Sequence, residues 1–166
     1  MGRPPKGHNE IIEIGAVKLN QLGEVLDTFS KFVQPTVNPR LSGFCKKLTS
    51  IKQDDVNRAH KFPRVIEQFK DWVDIYEDYS LCSWGAYDKT FFMNDCNLHR
   101  LETDWLDRAI NIKGQYAKMI GDEKHNGLKN TLKREGFEFT GIPHRAISDA
   151  ENTAKIFIKY IDEWVV

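Results

Sequence analysis

A histidine and an aspartate lie five residues apart near the end of the chain, in the run His144-Arg-Ala-Ile-Ser-Asp149-Ala150. A histidine side chain titrates near neutral pH and can take a proton from water, and an aspartate is a hard oxygen ligand for divalent cations. Residues i and i+5 of one regular helix are roughly 140° apart. His144 and Asp149 can therefore face one site only if His144 lies on a loop and Asp149 lies in the first turn of the next helix.

The same run also has a purely structural interpretation. Ser148 and Glu151 have the spacing of a capping box, and Asp149 would then favour the positive end of the helix dipole. Because such caps are common, spacing alone favours this interpretation.

A second acidic residue, Asp88, closely follows a short apolar segment in the run Trp84-Gly-Ala-Tyr-Asp88-Lys-Thr-Phe91-Phe92. Sheets of α/β proteins usually place ligands beyond the carboxyl ends of their strands, so Asp88 is a candidate metal ligand. Taken alone, an aspartate in this position is more often a helix N-cap. The rings of Trp84, Phe91 and Phe92 could stack on bases, although aromatic residues at such spacing more often belong to a core.

Together these motifs resemble those of the DEDDh 3′–5′ exonuclease family. Asp88 after a strand and the H-x-A-x-x-D-A run at residues 144–150 are similar to the second and third motifs of the family. Residues 10–19 (EIIEIGAVKL) resemble its second strand. Residues 32–49 are similar to the KapD-like bacterial branch, which is related to eukaryotic exonucleases that trim histone messenger RNA and small RNAs. The resemblance covers residues 10–164.

The resemblance implies a ribonuclease H-like fold and a metal-dependent nuclease. In such enzymes two divalent ions, usually Mg²⁺ or Mn²⁺, clamp the scissile phosphate and activate a water. His144 would be the general base, and Asp88 and Asp149 would hold the metal. The expected substrate is RNA or single-stranded DNA, with Trp84 and Phe92 as candidate substrate contacts. The alternative is a non-catalytic nucleic-acid-binding module on the same fold, and the presence of all three polar residues favours the enzyme.

The chain departs from this family in its first motif, Asp-x-Glu, which belongs on a central strand before residues 10–19. No residue among 1–9 is acidic. Glu10 and Glu13 belong to the next strand, and we interpret them as ordinary strand residues because neighbouring strands are about 4.8 Å apart. We therefore expect weak two-metal binding and slow cleavage by this chain, and a start codon assigned too late would explain the difference.

The order of elements predicts one exonuclease-like α/β domain over residues 10–166, preceded by a polar N-terminal loop over residues 1–9. This order suits a ribonuclease H-like mixed sheet with helices on both faces and with its first, central strand missing. The alternation of apolar and polar residues predicts strands at 10–19, 25–33, 80–84 and 109–112 and helices at 48–59, 65–76, 88–98 and 150–165.

A missing central strand would leave an apolar strand edge open at residues 11–19. Such an edge invites pairing with another chain. We therefore expect either a strand supplied by a second copy, which gives a homodimer, or direct pairing of residues 11–19 with residues 80–84.

The composition excludes several classes of protein. The 166 residues include 24 Lys and Arg and 24 Asp and Glu, so the formal net charge is zero and binding to nucleic acid must depend on a local site. Three cysteines, far apart in sequence, do not indicate a disulfide framework or a zinc site. No apolar run approaches the ~20 residues that span a bilayer. We expect a cytoplasmic protein that does not enter a membrane.

Overall fold

A computed structural model describes residues 9–166, so the predicted N-terminal loop lies outside the described residues except for Asn9. The described chain is a mixed α/β domain, as predicted. Its elements, in chain order, are β1 (Glu13–Leu19), β2 (Val25–Phe32), α1 (Gly43–Thr49), α2 (Gln53–Asn57), α3 (Phe62–Val73), β3 (Leu81–Ser83), α4 (Tyr87–Leu98), β4 (Ala109–Asn111), α5 (Ile112–Ile120), α6 (Leu128–Arg134) and α7 (Ala146–Lys159). A 3₁₀ turn at Asp104–Arg108 lies between α4 and β4.

Strands β1 and β2 form the predicted antiparallel hairpin. The turn between them is closed by the side chain of Asn20, whose carbonyl oxygen accepts the backbone N–H groups of Leu22 and Glu24. Strand β1 begins at Glu13 and not at Glu10. The buried Glu10 carboxylate instead accepts backbone N–H groups of residues 36–38 and fixes the loop that follows β2.

The strands form two separate two-stranded sheets. Strand β1 pairs with β2, and β3 pairs in parallel with β4. The expected direct pairing of residues 11–19 with residues 80–84 is therefore wrong. Within residues 9–166 no strand joins the two sheets, and a cleft of about 1880 Å³ lies between β1 and β3. Each of these strands keeps one unpaired backbone edge toward this cleft in the described part of the chain.

Helices cover both faces of β1, as predicted. Ile14 belongs to a buried cluster that includes Phe29 of β2 and Phe69 of α3, whose ring centroids are 5.2 Å apart. The next residue, Gly15, points the other way, toward Ala146 and Ile147 at the start of α7. This alternation follows from the period-2 geometry of a strand.

Three predicted helices differ from those observed. The helix predicted over residues 48–59 is two short helices, because Ser50 has a left-handed backbone with φ 62° that ends α1. Helix α3 ends before Tyr76, whose side chain is 91% exposed and does not belong to the buried face. The last helix is α7, which begins at Ala146 and ends at Lys159. No helix among residues 9–166 is long and apolar enough to cross a membrane.

Gly15 leaves no room for a side chain where β1 meets α7. A Cβ atom built on it would lie 2.2 Å from the backbone nitrogen of Ile147 and 2.4 Å from the carbonyl carbon of Ala146. Backbone atoms cannot move aside as a flexible side chain can, so Gly15→Ala should destabilise the fold by about 1–3 kcal/mol or more. Urea unfolding followed by circular dichroism measures the loss.

The matched control for this variant is Gly43→Ala. Gly43 begins α1 and has open space around the position of a Cβ atom. The control should change stability by no more than about 1 kcal/mol, because alanine favours helix over glycine. Equal stability of the two variants would contradict the close approach of β1 to α7.

Candidate active site

Asp88 lies in the first turn of α4, five residues after Ser83, the last residue of β3. Gly85, with φ 114°, allows the sharp turn, and the Ser83 hydroxyl donates to the Gly85 carbonyl oxygen. The N-cap of α4 is Ala86. The interpretation of Asp88 as the N-cap is therefore wrong, and its carboxyl group is left to face the cleft between β1 and β3.

His144 and Asp149 meet the geometric condition that their spacing imposes. His144 lies on the loop before α7, in a left-handed conformation with φ 62°, and Asp149 lies in the first turn of α7. The capping-box interpretation is wrong, since the N-cap is Arg145 and it makes no side-chain cap. Ser148 is the third residue of α7, and its hydroxyl oxygen accepts a hydrogen bond from the backbone N–H of Ile142.

Asp88, His144 and Asp149 all line this cleft, and the charges of Asp88 and His144 both act on the Asp149 carboxyl. Burial raises the pKa of the Asp88 carboxyl above its usual value. Burial also raises the pKa of Asp149, His144 lowers it, and the negative charges of Asp88 and Glu13 raise it further. The charge effects on Asp149 indicate that Asp88, His144 and Glu13 lie near its carboxyl group.

The two aspartates fit the charge of one divalent cation. Mg²⁺ and Mn²⁺ prefer oxygen ligands. A cation at this position would favour the ionised carboxylates, which burial disfavours at both aspartates and the charge of Asp88 disfavours at Asp149. Among residues 9–166, however, no group of three or more His, Cys, Asp or Glu side chains could hold a metal ion. The described residues therefore do not balance the charge of two dications.

Trp84 and Phe92, the candidate substrate contacts, both border the cleft and both have packing roles. The Trp84 indole N–H donates to the Asn126 carbonyl oxygen. The Phe92 ring stacks on that of Phe69 at 5.9 Å between centroids. Contact of Trp84 and Phe92 with a substrate stays a prediction.

A more exposed aromatic pair flanks Asp88 on α4. The rings of Tyr87 and Phe91 stack with centroids 6.3 Å apart, and their side chains are 76% and 38% exposed. Residues four apart lie side by side on a helix, so the spacing of Tyr87 and Phe91 predicts this aromatic pair. The sequence interpretation did not include Tyr87.

Glu13 is the other residue whose position sequence reasoning missed. The sequence predicts an ordinary strand residue at Glu13. In the structure its carboxylate is buried and binds Arg145 and the backbone N–H of Ala146. An acidic residue in an otherwise apolar strand is a weak signal for such a contact, because the partner lies 132 residues away.

Comparison with known proteins identifies the family of this chain. The model of the exonuclease family RNase_T matches residues 2–157. The chain belongs to this family, and the resemblance to DEDDh exonucleases is confirmed.

Individual relatives agree with the family assignment. The chain is 35% identical to human 3'-5' exoribonuclease 1 over 171 residues, which is 98% of this chain and 49% of that protein. It is 28% identical to the probable 3'-5' exonuclease KapD of Bacillus subtilis, covering 89% of this chain and 71% of that protein. The nuclease domain of 3'hExo, a DEDDh family member solved with rAMP, superposes with a TM-score of 0.89 at 35% identity, over 97% of this chain and 85% of that one.

These matches confirm the ribonuclease H-like fold class. Members of the DEDDh family use divalent metal ions. The chain spans about half the length of human 3'-5' exoribonuclease 1.

Proposed function

We propose that this chain is a metal-dependent 3′–5′ exonuclease that removes nucleotides from the ends of RNA. The observation that carries the proposal is that Asp88, His144 and Asp149, which match the family motifs in sequence, line one cleft, where the charges of Asp88 and His144 act on Asp149. The names of the relatives supply the direction of cleavage and the preference for RNA.

Each residue of the site has a distinct part in this reaction. His144 takes the proton from the attacking water, for which its place on a loop beside Asp149 is suited. Asp88 and Asp149 would hold Mg²⁺ or Mn²⁺ through their carboxylate oxygens. When bound, the cation supplies positive charge to the scissile phosphate and lowers the pKa of water.

The exposed aromatic pair of α4 supports a single-stranded substrate. Phe91 lines the cleft together with Asp88, and the exposed Tyr87 ring stacks on it. Bases stack on such rings with little regard to sequence. The solved relative with bound rAMP supports a ribonucleotide as ligand. Single-stranded DNA is the alternative substrate, and the 2′-hydroxyl is what would separate the two.

One observation favours a non-catalytic nucleic-acid-binding module as the second candidate. Within residues 9–166 the site offers two carboxylates and no larger metal-binding group. Two-metal catalysis needs more negative charge than this. If the chain is an exonuclease, we expect it to cleave RNA slowly. An assay with protein in excess over substrate measures this rate.

A cleavage assay on labelled single-stranded RNA tests the proposal. With Mn²⁺ or Mg²⁺, a 5′ label should appear in a ladder of shortened products, and a 3′ label should appear at once in a mononucleotide. EDTA should stop both. Binding of RNA with no shortening in either metal would leave the non-catalytic module as the function, and internal fragments would contradict an exonuclease.

We further propose that the open edge of β1 pairs with a strand of a second copy. The edges of β1 and β3 that face the cleft have no strand partner within residues 9–166, and the cleft walls are rich in apolar side chains. Light scattering after size-exclusion chromatography at micromolar concentration should give twice the monomer mass of 19.3 kDa. A monomer at every concentration, with rapid exchange of the amides on that edge, would contradict the dimer.

A further inference from the structure

The buried carboxylate of Glu13 joins strand β1 to the start of α7. One oxygen accepts the Arg145 Nη2 donor at 2.8 Å and the Nε donor at 3.0 Å. The other accepts the backbone N–H of Ala146 at 2.7 Å. The side chain of Glu13 is 5% exposed and that of Arg145 is 21% exposed, so this ion pair is largely removed from water. A buried pair with satisfied hydrogen bonds has one defined geometry.

The place of this contact in the chain links it to the candidate active site. Arg145 directly follows His144, and Ala146 is the first residue of α7, whose first turn carries Asp149. The helix has no side-chain cap of its own, so Glu13 satisfies one of its first N–H groups from a different element. A negative charge is also favourable at the positive end of a helix.

Two further contacts hold the same segment in the same place. The Arg145 guanidinium lies over the Phe32 ring, 5.1 Å from its centroid. This cation–π contact helps to hold the guanidinium in place. Gly15 brings the backbone of β1 against that of Ala146 and Ile147. The start of α7 is therefore set by β1 and β2, and the left-handed turn at His144 is set with it.

We infer that Glu13, acting through Arg145 and Ala146, is a positioning residue that fixes His144 relative to Asp149. The inference rests on the proposed function for its effect on cleavage. The contact itself stands apart from that function and can be measured without it. Outer contacts that orient metal ligands are worth about 10- to 100-fold in activity.

Glu10 provides a matched control on the same stretch of chain. It is also a buried carboxylate and also accepts backbone N–H groups, but those belong to Thr36, Val37 and Asn38. Loss of either carboxylate removes buried hydrogen bonds. Only loss of Glu13 changes what holds the start of α7.

The experiment compares Glu13→Gln, Glu13→Ala and Arg145→Met with Glu10→Gln and the parent chain. Single-turnover cleavage should slow about 10- to 100-fold in Glu13→Ala and less in Glu13→Gln, which keeps an oxygen for the Ala146 N–H. The dissociation constant for RNA should stay within about threefold, because the Glu13 side chain is only 5% exposed and its hydrogen bonds are made to Arg145 and Ala146. Glu10→Gln should cleave at the parent rate.

Hydrogen exchange gives a second measurement that does not need activity. The amides of residues 146–149 should exchange at least about tenfold faster in Glu13→Ala than in Glu10→Gln. If Glu13→Ala does not fold, the same comparison is made with Glu13→Gln and Arg145→Met. Unchanged exchange in residues 146–149, or equal slowing of cleavage by Glu10→Gln, overturns the inference. If the parent chain does not cleave RNA and exchange still responds, the proposed function fails and the positioning contact stands.

Discussion

Replacing Asp149 with alanine should lower the rate of RNA cleavage by about a thousandfold. Asp149 lies in the first turn of α7 beside Asp88 and His144. Asp149 is one of the two aspartates proposed to hold the cation, and removal of a metal's charge stabilisation is worth several kcal/mol in the transition state. Single-turnover cleavage of 5′-labelled RNA with Mn²⁺ measures the effect.

Glu151→Ala is the control for this variant. Glu151 is exposed on the same helix, two residues further on, so the substitution changes the net charge equally and leaves the cleft intact. It should cleave at nearly the parent rate. A fall of similar size in both variants would indicate that net charge matters and not the position of Asp149. Normal cleavage by Asp149→Ala would overturn the proposed site.

Replacing Glu135 should lower the free energy of unfolding. Its side chain, 8% exposed, accepts hydrogen bonds from the hydroxyls of Tyr116 and Tyr160, both at 2.6 Å, and pairs with Lys159 at 2.8 Å. Burial alone would raise the pKa of Glu135, but the hydrogen bonds from Lys159, Tyr116 and Tyr160 outweigh it and lower the pKa to about 2. The same carboxylate, together with burial, raises the pKa of Tyr160 to about 12.

This lowered pKa makes a stability contribution that depends on pH. The contribution is fully present above the unfolded-state pKa of 4.5 and is lost as pH falls toward about 2. The shift corresponds to about 2–3 kcal/mol, allowing for solvent screening at the half-exposed Lys159. Glu135→Gln should therefore lose about that free energy of unfolding at pH 7, and the difference from the parent should shrink as pH falls from 5 to about 2.

Urea unfolding at a series of pH values measures this difference. The control is Glu138→Gln, an exposed glutamate three residues further on, whose stability should follow that of the parent at every pH. If the difference in free energy of unfolding between Glu135→Gln and the parent stays constant from pH 7 to pH 2, the charge of Glu135 does not stabilise the fold. Glu135→Leu should cost more than Glu135→Gln, because it removes the acceptor of the Tyr116 and Tyr160 hydroxyls and the charge partner of Lys159.

The sequence by itself determined the residues of the candidate site and the class of fold. Asp88, His144 and Asp149 belong to motifs that are local in sequence, so their order and spacing could be compared with a family directly. The β1–β2 hairpin was also predictable, since an alternating pattern on each side of a short turn depends on near neighbours. The first turn of a helix and the loop before it were the only places from which His144 and Asp149 could face one site, and the structure has both there.

The ends of the strands and helices, and the roles of single residues, depend on tertiary contacts that the pattern of residues along the sequence does not show. Strand β1 does not include Glu10, whose carboxylate instead binds the loop at residues 36–38. Trp84 and Phe92, predicted as substrate contacts, also pack on Tyr116 and Phe69. An aromatic side chain has the same sequence signature in a core and on a binding surface, so only the fold separates the two.

The tertiary structure alone decided what holds the site in place. Glu13 and Arg145 are 132 residues apart, and nothing local to either one predicts that they meet. Gly15 is required only because α7 lies directly against β1, and the separation of the two sheets by a cleft follows from which strands pair. Such contacts join elements that are distant in sequence, and their energies depend on burial and exact distance, which the folded chain creates and the order of residues does not state.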